Sequence, residues 1–461
     1  MKLRSAIAAI ALAAAAWTVP ATAQQVTPAD VAEAKDILKR SIAFRTVEGQ
    51  GQVPAYAAYL ASVLKGAGFA DSEIEITPMG ETATLVARWP GASNAPPIVL
   101  LGHMDVVEAK AEDWERDPFT AVEEGGYIFG RGAEDNKYDV SLMVATLAQL
   151  RRAGFKPERE LILALTGDEE TRMVTTRALA RRFKDAEMVL NGDGGGGILG
   201  PDGKPIFYGL QGGEKTYADF EIIFTSEGGH SSTPTGDNAI QHLAASLQRI
   251  GAYEFPPQAN ELTRASLAAA SRQLGGDLGS AMAAFSRDPT DLEAAALIST
   301  RPEYIGQVRT TCVATMVDAG HARNALPQRA TANVNCRIFP GVPVESVKAK
   351  LTELVGDDRA EIVTIDDPTA SDASPLRADV MEAAEKAVAA RYPGLPVTPS
   401  MSAGATDSLH FRAAGVPSYG VSSLFIRAED GFAHGLNERV PVEGIGASLA
   451  HWRSILDDLA R

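Results

Sequence analysis

His103 and Asp105, Asp135, the Glu169–Glu170 pair, Asp193 and His434 are the side chains of this sequence whose types and order could do chemistry. Oxygen and nitrogen donors of this kind suit a borderline dication such as Zn²⁺. A catalytic ion keeps one coordination position open, and a carboxylate shared between two ions can bridge them. The set therefore points to a two-metal hydrolase. One histidine after a strand is ordinarily a satisfied buried imidazole. Here the first four groups each follow a short apolar run, which is the placement a site at one end of a sheet requires.

The elements that must position them follow from the hydrophobic pattern. Residues 28–43 and 54–66 have the spacing of amphipathic helices. Strands are predicted at Thr82–Trp89, Ile98–Leu101, Leu161–Leu165 and Met188–Leu190, the last three as short apolar runs buried on both faces. A helix from Val140 to Ala153 is predicted to stop at Gly154. This alternation predicts an α/β sheet with helices on both sides. His103, Glu169, Glu170 and Asp193 then fall beyond the carboxyl ends of its strands, where such sheets bind ligands.

After Gly212 the pattern changes. Tyr217–Thr225, Gln307–Val317 and Ala330–Phe339 alternate like half-exposed strands, and a further strand is predicted at Ala360–Ile365. Helices are predicted at Asn238–Ile250 and Val344–Leu354. Residues 255–305, rich in Ala and Ser at helical spacing, read as an insertion. The predicted organisation is one α/β domain in two parts, 24–212 and 369–461, with an α+β domain of residues 213–368 inserted between them.

Lys2 and Arg4 precede an Ala/Ile/Leu-rich stretch ending in Ala21-Thr22-Ala23. That is the pattern of a secretory signal of residues 1–23, cut before Gln24. The apolar part is too short to span a bilayer comfortably. The expectation is a secreted or periplasmic protein with no membrane attachment after cleavage. Cleavage would remove Lys2 and Arg4 and no acid, moving the formal charge from −16 to −18. Such a balance argues against nucleic acid or an anionic membrane surface as partner. The two cysteines, Cys312 and Cys336, flank a turn predicted near Asn324. Antiparallel pairing would set them opposite one another for a disulfide, and two separately buried thiols fit equally well.

Four segments resemble the co-catalytic metallopeptidases of the M20 type. They are Leu100-Leu101-Gly102-His103-Met104-Asp105, Gly130-Arg131-Gly132-Ala133-Glu134-Asp135-Asn136-Lys137, Thr166-Gly167-Asp168-Glu169-Glu170 and Gly229-His230-Ser231-Ser232. That family includes glutamate carboxypeptidases, aminoacylases, acetylornithine deacetylases and succinyl-diaminopimelate desuccinylases. Each motif alone is weak; together, in order along the chain, they are specific.

The resemblance implies a zinc-peptidase α/β catalytic domain carrying an inserted α+β lid that also dimerises, giving a homodimer. It implies two Zn²⁺ per subunit, with Co²⁺ or Mn²⁺ as possible substitutes. His103, Asp135 and Asp193 would hold one ion, and Asp135, Glu170 and His434 the other. Asp105 would orient His103. Glu169 would be the general base, and His230 would stabilise the oxyanion, often from across a dimer. Asn324 and Arg337 resemble the family's substrate-gripping positions, although a turn asparagine and a solvated strand arginine are the plain alternatives. Gly404 looks like the loop lining the substrate site, where an ordinary turn is nearly as good an account.

The chain departs from the pattern at three places. Tyr138 stands where many relatives have Gly, which would reshape the pocket edge. Asp193 stands where some have Glu. Asn335 replaces an acid common in its strand, which leaves the pairing of Arg337 open. His242, His321, His410 and His451 have no motif around them and read as structural or surface residues.

The reading is an exported dinuclear zinc peptidase acting on small peptides, carboxypeptidase- or dipeptidase-like. An N-acyl-amino-acid deacylase would use the same machinery. A metal-bound peptide receptor without catalysis would lack the base or a ligand, and every position is present. In a purely structural metalloprotein Glu169 would be dispensable.

Overall fold

A computed structural model describes residues 25–461; the signal segment expected at residues 1–23 lies outside them. The first helix, Pro28–Ile42, starts from a reciprocal cap. Thr27 Oγ1 accepts the Asp30 N–H at 3.2 Å, and the Asp30 carboxylate accepts the Thr27 N–H at 2.9 Å. Helix Val53–Gly66 follows. Helix Lys137–Arg152 is buried along nearly its whole length and ends before Gly154, whose φ of +76° suits a glycine.

Ten strands form the main sheet. Along it run Ile74–Met79, Thr82–Trp89, Leu161–Thr166, Ile98–His103, Met188–Asn191, Ser418–Gly420, Pro205–Glu214, Gly196–Leu199 and Phe425–Arg427, with Val397–Ser402 also paired to Pro205–Glu214. Ile98–His103 lies parallel to both Leu161–Thr166 and Met188–Asn191. All three are buried on both faces, as their unbroken apolar runs demand. Their carboxyl ends therefore coincide, and the residues following each strand meet at one edge.

The hydrophobic pattern predicts no strand at Ile74–Met79, Gly196–Leu199, Pro205–Glu214 or Val397–Ser402, and all four are present. The middle two are glycine-rich, with Gly196 and Gly197 in one and Gly209, Gly212 and Gly213 in the other. Glycine is required in and just before Gly196–Leu199 by close packing. A Cβ on Gly195 would sit 2.4 Å from the Gly420 carbonyl oxygen, and one on Gly197 would sit 2.0 Å from the Phe425 ring.

A separate four-stranded antiparallel sheet follows the order Thr311–Ala319, Arg329–Ile338, Thr216–Thr225, Glu361–Ile365. Alternation in Arg329–Ile338 sends Ala330, Ala332, Val334, Cys336 and Ile338 into a core with helices Ala239–Ala252 and Val344–Val355. The opposite face carries Thr331, Asn333, Asn335 and Arg337. The first strand begins at Thr311 rather than Gln307, because Pro302–Val308 closes a helix. Residues 261–308 form four helices with a small core of their own around Met282, Phe285 and Ile298. Cys312 and Cys336 are register partners and are joined as a disulfide, their Cα atoms 4.1 Å apart. No helix among the described residues is long and apolar enough to cross a membrane.

Candidate metal centre

His103 ends its strand fully buried. Its Nδ1 lies 3.0 Å from the main-chain oxygen of Asp105, which fixes the ring and aims Nε2 outward. The Asp105 carboxylate is farther from the ring, at 3.6 Å. Its two oxygens instead accept the backbone N–H groups of Glu169 at 3.1 Å and Glu170 at 3.0 Å. Asp105 thus ties the loop after Leu161–Thr166 to the end of the neighbouring strand.

Asp135 faces two imidazoles. Oδ1 is 2.8 Å from His103 Nε2, and Oδ2 is 3.2 Å from His434 Nε2. His434 Nε2 also lies 3.0 and 3.1 Å from the two Glu170 oxygens. Asp193 Oδ2 is 3.9 Å from His103 Nε2. The structure thus brings all five predicted ligands together, with Asp135 between the two imidazoles. His434 has a φ of +62°, an uncommon backbone state for a non-glycine residue and one often found at functional positions.

The electrostatics fit a cation. Burial pushes the Asp193 carboxyl well above the usual range, and Asp135 adds to it. Burial likewise raises Glu169, with Asp193, Asp407 and Glu170 reinforcing the shift against His103. Burial also works to raise Asp135, but hydrogen bonds from both imidazoles hold it below the usual range. His434 is pushed up to about 10 by hydrogen bonds to Asp135 and Glu170. Among the described residues, Asp135, Glu170 and Asp193 form ion pairs only with the two histidines. Oxygen and imidazole donors converge here without a fixed side-chain cation, and His103, Asp135 and Glu170 alone place donor atoms within 4.8 Å of one another. The donor set fits a pair of zinc-like ions.

Two buried acids that sequence reasoning passed over support the centre. Glu438 accepts from Arg131 Nη1 at 2.6 Å and from the N–H groups of Gly132, Glu134 and Asp135 at 2.9, 2.7 and 3.1 Å. Asp407 accepts from Thr166 Oγ1 at 2.5 Å and from Thr176, and burial raises its pKa to about 6. The available signal was an acid a few residues from a candidate ligand or turn, which is too common to single out.

Tyr138 does not edge a pocket. It is fully buried, its hydroxyl 3.0 Å from Ser448 Oγ, because the helix beginning at Lys137 turns it toward the C-terminal helix. His410 and His451 are buried, and His242 packs beside Asp237 and Arg359 on the smaller sheet's helix.

The substrate-side candidates divide. Arg337 lies with its guanidinium 4.6 Å from the Tyr217 ring centre, and Nη1 donates to the Ala403 carbonyl at 3.1 Å. The acid missing at position 335 is supplied across the strand pair. Asp219 is the register partner of Asn335, and its Oδ1 accepts from Asn333 and Asn335 at 2.8 and 2.9 Å. Gly404 follows Ala403, and a Cβ built on it would meet only Ser402 Oγ at 3.5 Å. Space in front of Gly404 is therefore open. His230 and Asn324 sit together elsewhere on the smaller domain. Gly229–His230 pairs with Ala325–Leu326, and Ser231 N–H donates to Asn324 O at 3.0 Å. His230 is exposed, and its ring accepts from Ser232 within its own turn. Neither residue contacts the acid cluster.

Residues 99–458 match Peptidase family M20/M25/M40. The chain is 29% identical over 391 residues to the N-fatty-acyl-amino acid synthase/hydrolase PM20D1 of Xenopus tropicalis, covering 82% of this chain and 75% of that protein. It is 30% identical over 275 residues to carboxypeptidase S of Saccharomyces cerevisiae, covering 55% and 47% respectively. In fold it resembles the M20 family metallo-carboxypeptidase Sso-CP2 from Sulfolobus solfataricus, with a TM-score of 0.69 at 19% identity over 92% of this chain and 99% of that one.

Proposed function

The chain belongs to peptidase family M20/M25/M40 and is a metal-dependent hydrolase of amide bonds; from that premise we propose an exported enzyme that uses two zinc ions to release an amino acid with a free carboxylate from small peptides or N-acyl amino acids. The observation that carries the reading is Asp135 lying between His103 and His434 beside the buried Glu169. His103, Asp135 and Asp193 would hold one ion, and Asp135, Glu170 and His434 the other. Bound there, the pair would polarise the amide carbonyl and acidify a water.

The remaining work falls to the protein. Glu169, with a raised pKa and no fixed cation beside it, takes a proton from the attacking water and returns it to the leaving amine. Asp105 holds the Glu169 and Glu170 backbone so that base and ligand point apart. Arg337, stacked on Tyr217 and tied to Ala403, receives the substrate carboxylate. Gly404 lets the substrate pass close to the main chain between the two.

His230 and Asn324 act on this reading in the site of a second subunit. The exposed edge strand Thr311–Ala319, with Val313 59%, Met316 70% and Val317 62% exposed, supports a homodimer built on residues 213–368. The Cys312–Cys336 disulfide supports an oxidising compartment, periplasmic or extracellular. The relatives favour no single substrate class, since one is named for N-fatty-acyl amino acids and another as a carboxypeptidase.

The test incubates zinc-loaded protein with mixed dipeptides and N-acyl amino acids and follows consumption by mass spectrometry. Hydrolysis of either class, abolished by a chelator, is the expected result. Consumption of neither would overturn the reading in favour of a non-catalytic receptor.

A further inference from the structure

Glu214 ends the strand Pro205–Glu214, with Lys215 alone between it and the strand Thr216–Thr225 of the inserted domain. Its side chain is fully buried and forms an ion pair with Arg412, Oε1 to Nη2 at 2.5 Å. The other oxygen, Oε2, accepts from the Thr406 hydroxyl at 3.0 Å and from the Gln211 amide at 3.3 Å.

Both of those partners lead to Asp193. The Thr406 hydroxyl accepts from Asn191 Nδ2 at 3.4 Å, and Asn191 Oδ1 accepts the Asp193 main-chain N–H at 2.8 Å. Gln211 packs on the residue that follows Asp193, since a Cβ on Gly194 would sit 2.9 Å from Gln211 Oε1. Asp193 is thus flanked on either side by groups that meet at one carboxylate. The junction at Thr406 is saturated. Its Oγ1 gives its one proton to Glu214 and also accepts the Ser408 N–H at 3.2 Å. Asn191 Nδ2 gives its second proton to Ser408 Oγ at 2.9 Å. Asn191, Gln211, Glu214, Thr406 and Ser408 are all buried. In such a chain each group fixes the orientation of the next.

The same pair fastens the substrate side. Ser402 is the register partner of Glu214, and its carbonyl accepts the Lys215 N–H at 3.0 Å. Ala403, whose carbonyl takes Arg337, and Gly404 lie between Ser402 and Thr406. Asp407 comes next and accepts from Thr166, at the end of the strand leading into Glu169. The segment 402–407 is therefore pinned to the Asp193 loop at Thr406 and to the strand before Glu169 at Asp407.

We propose that Thr406 and Glu214 are positioning residues for hydrolysis, holding the candidate metal ligand Asp193 and the substrate-anchoring backbone at Ala403–Gly404 in one frame. The proposal rests on the two-zinc hydrolase reading above and adds what keeps the carboxylate anchor at a constant spacing from the metal centre. A misplacement of about 1 Å at a reacting amide costs about 100-fold in rate.

The test compares the full chain with four variants. Thr406→Val keeps the shape of the side chain and removes its hydroxyl, whereas Thr406→Ser keeps the hydroxyl. Gln211→Met cuts the second arm and leaves Thr406 in place. Ser374→Ala is the control, removing a buried hydroxyl that donates to Ser418 O at 2.8 Å. Zinc affinity is read by competition with a chromophoric chelator, and kcat and KM are measured on leucyl-leucine and N-acetyl-leucine. Thr406→Val should weaken one of the two zinc ions about tenfold or more and raise KM about tenfold or more. Gln211→Met should weaken the same ion, so the outcome does not hang on the folding of one variant. Thr406→Ser should match wild type in both readouts, and Ser374→Ala should keep its zinc. Amide turnover by wild type, with zinc affinity untouched in Thr406→Val and Gln211→Met, would overturn the proposal and leave the hydrolase reading standing. Equal zinc losses in Thr406→Val and Ser374→Ala would also overturn it, as would a KM unchanged in Thr406→Val. Zinc weakened in Thr406→Val and Gln211→Met, with neither amide cleaved by wild type, would keep the link to Asp193 and overturn the hydrolase reading.

Discussion

The Glu438 carboxylate accepts the main-chain N–H of Asp135 at 3.1 Å, joining the loop that carries Asp135 to a residue four positions after His434. The same carboxylate takes Arg131, Gly132 and Glu134, while Arg131 Nη2 donates to Gly435 O at 3.2 Å. One buried acid thus sets the spacing between Asp135 and His434, two side chains 299 positions apart in sequence.

Glu438→Gln should loosen that spacing. It turns an amide NH₂ toward N–H donors and leaves Arg131, only 3% exposed, without its counter-charge. Metal affinity is expected to fall about 10- to 100-fold, and the fold to weaken by about 3–5 kcal/mol. Chelator competition and urea unfolding measure the two effects, and an unchanged affinity would make Glu438 a purely structural residue.

Glu169→Gln removes the proton acceptor without touching a ligand. Turnover should drop at least about 100-fold, with the metal content of the purified protein unchanged. Retained turnover would take Glu169 out of proton transfer and favour a purely structural role for the ions.

Gly404→Ala separates substrate approach from turn geometry. Gly404 is not among the positive-φ glycines, and its Cβ position is open. Stability should hold or rise by about 0.4–1 kcal/mol. kcat/KM should nonetheless fall about tenfold or more, because the methyl displaces the substrate. Full activity would show that Gly404 serves only as a turn.

His451 makes stability depend on pH in one direction. Burial lowers its pKa to about 4, with its ring held 3.2 Å from the Val421 carbonyl. An unfolded histidine takes up its proton near pH 6.5. Between those values the unfolded chain binds more protons, so this contribution to stability is lost as pH falls from about 6.5 toward 4. His451→Gln should therefore gain about 2–3 kcal/mol relative to wild type between pH 7.5 and 4.5. Urea unfolding at the two pH values checks it; a constant difference between the proteins would mean that His451 is protonated in the fold.

The candidate ligands were legible because their positions are local. A short apolar run predicts a strand buried on both faces, and such strands lie parallel and end together, so His103, Glu170 and Asp193 had to converge. Helices and the alternating strands of residues 216–365 were legible from the same periodicities. Pro205–Glu214 and Gly196–Leu199 were not, because Gly212 answers to the close approach of Leu262 and Gly197 to that of Phe425 rather than to any pattern along the chain.

What the chain decided by itself is thus which side chains stand at strand ends and which faces are apolar. Tertiary structure alone decided how elements distant in sequence meet. Register set Asp219 beside Asn335 and joined Cys312 to Cys336, and it placed Tyr217 under Arg337. Long-range packing brought Glu438 to Asp135 and moved Tyr138 from a pocket edge into the core. Periodicity reports burial one residue at a time, whereas register and contact depend on the joint packing of segments hundreds of residues apart.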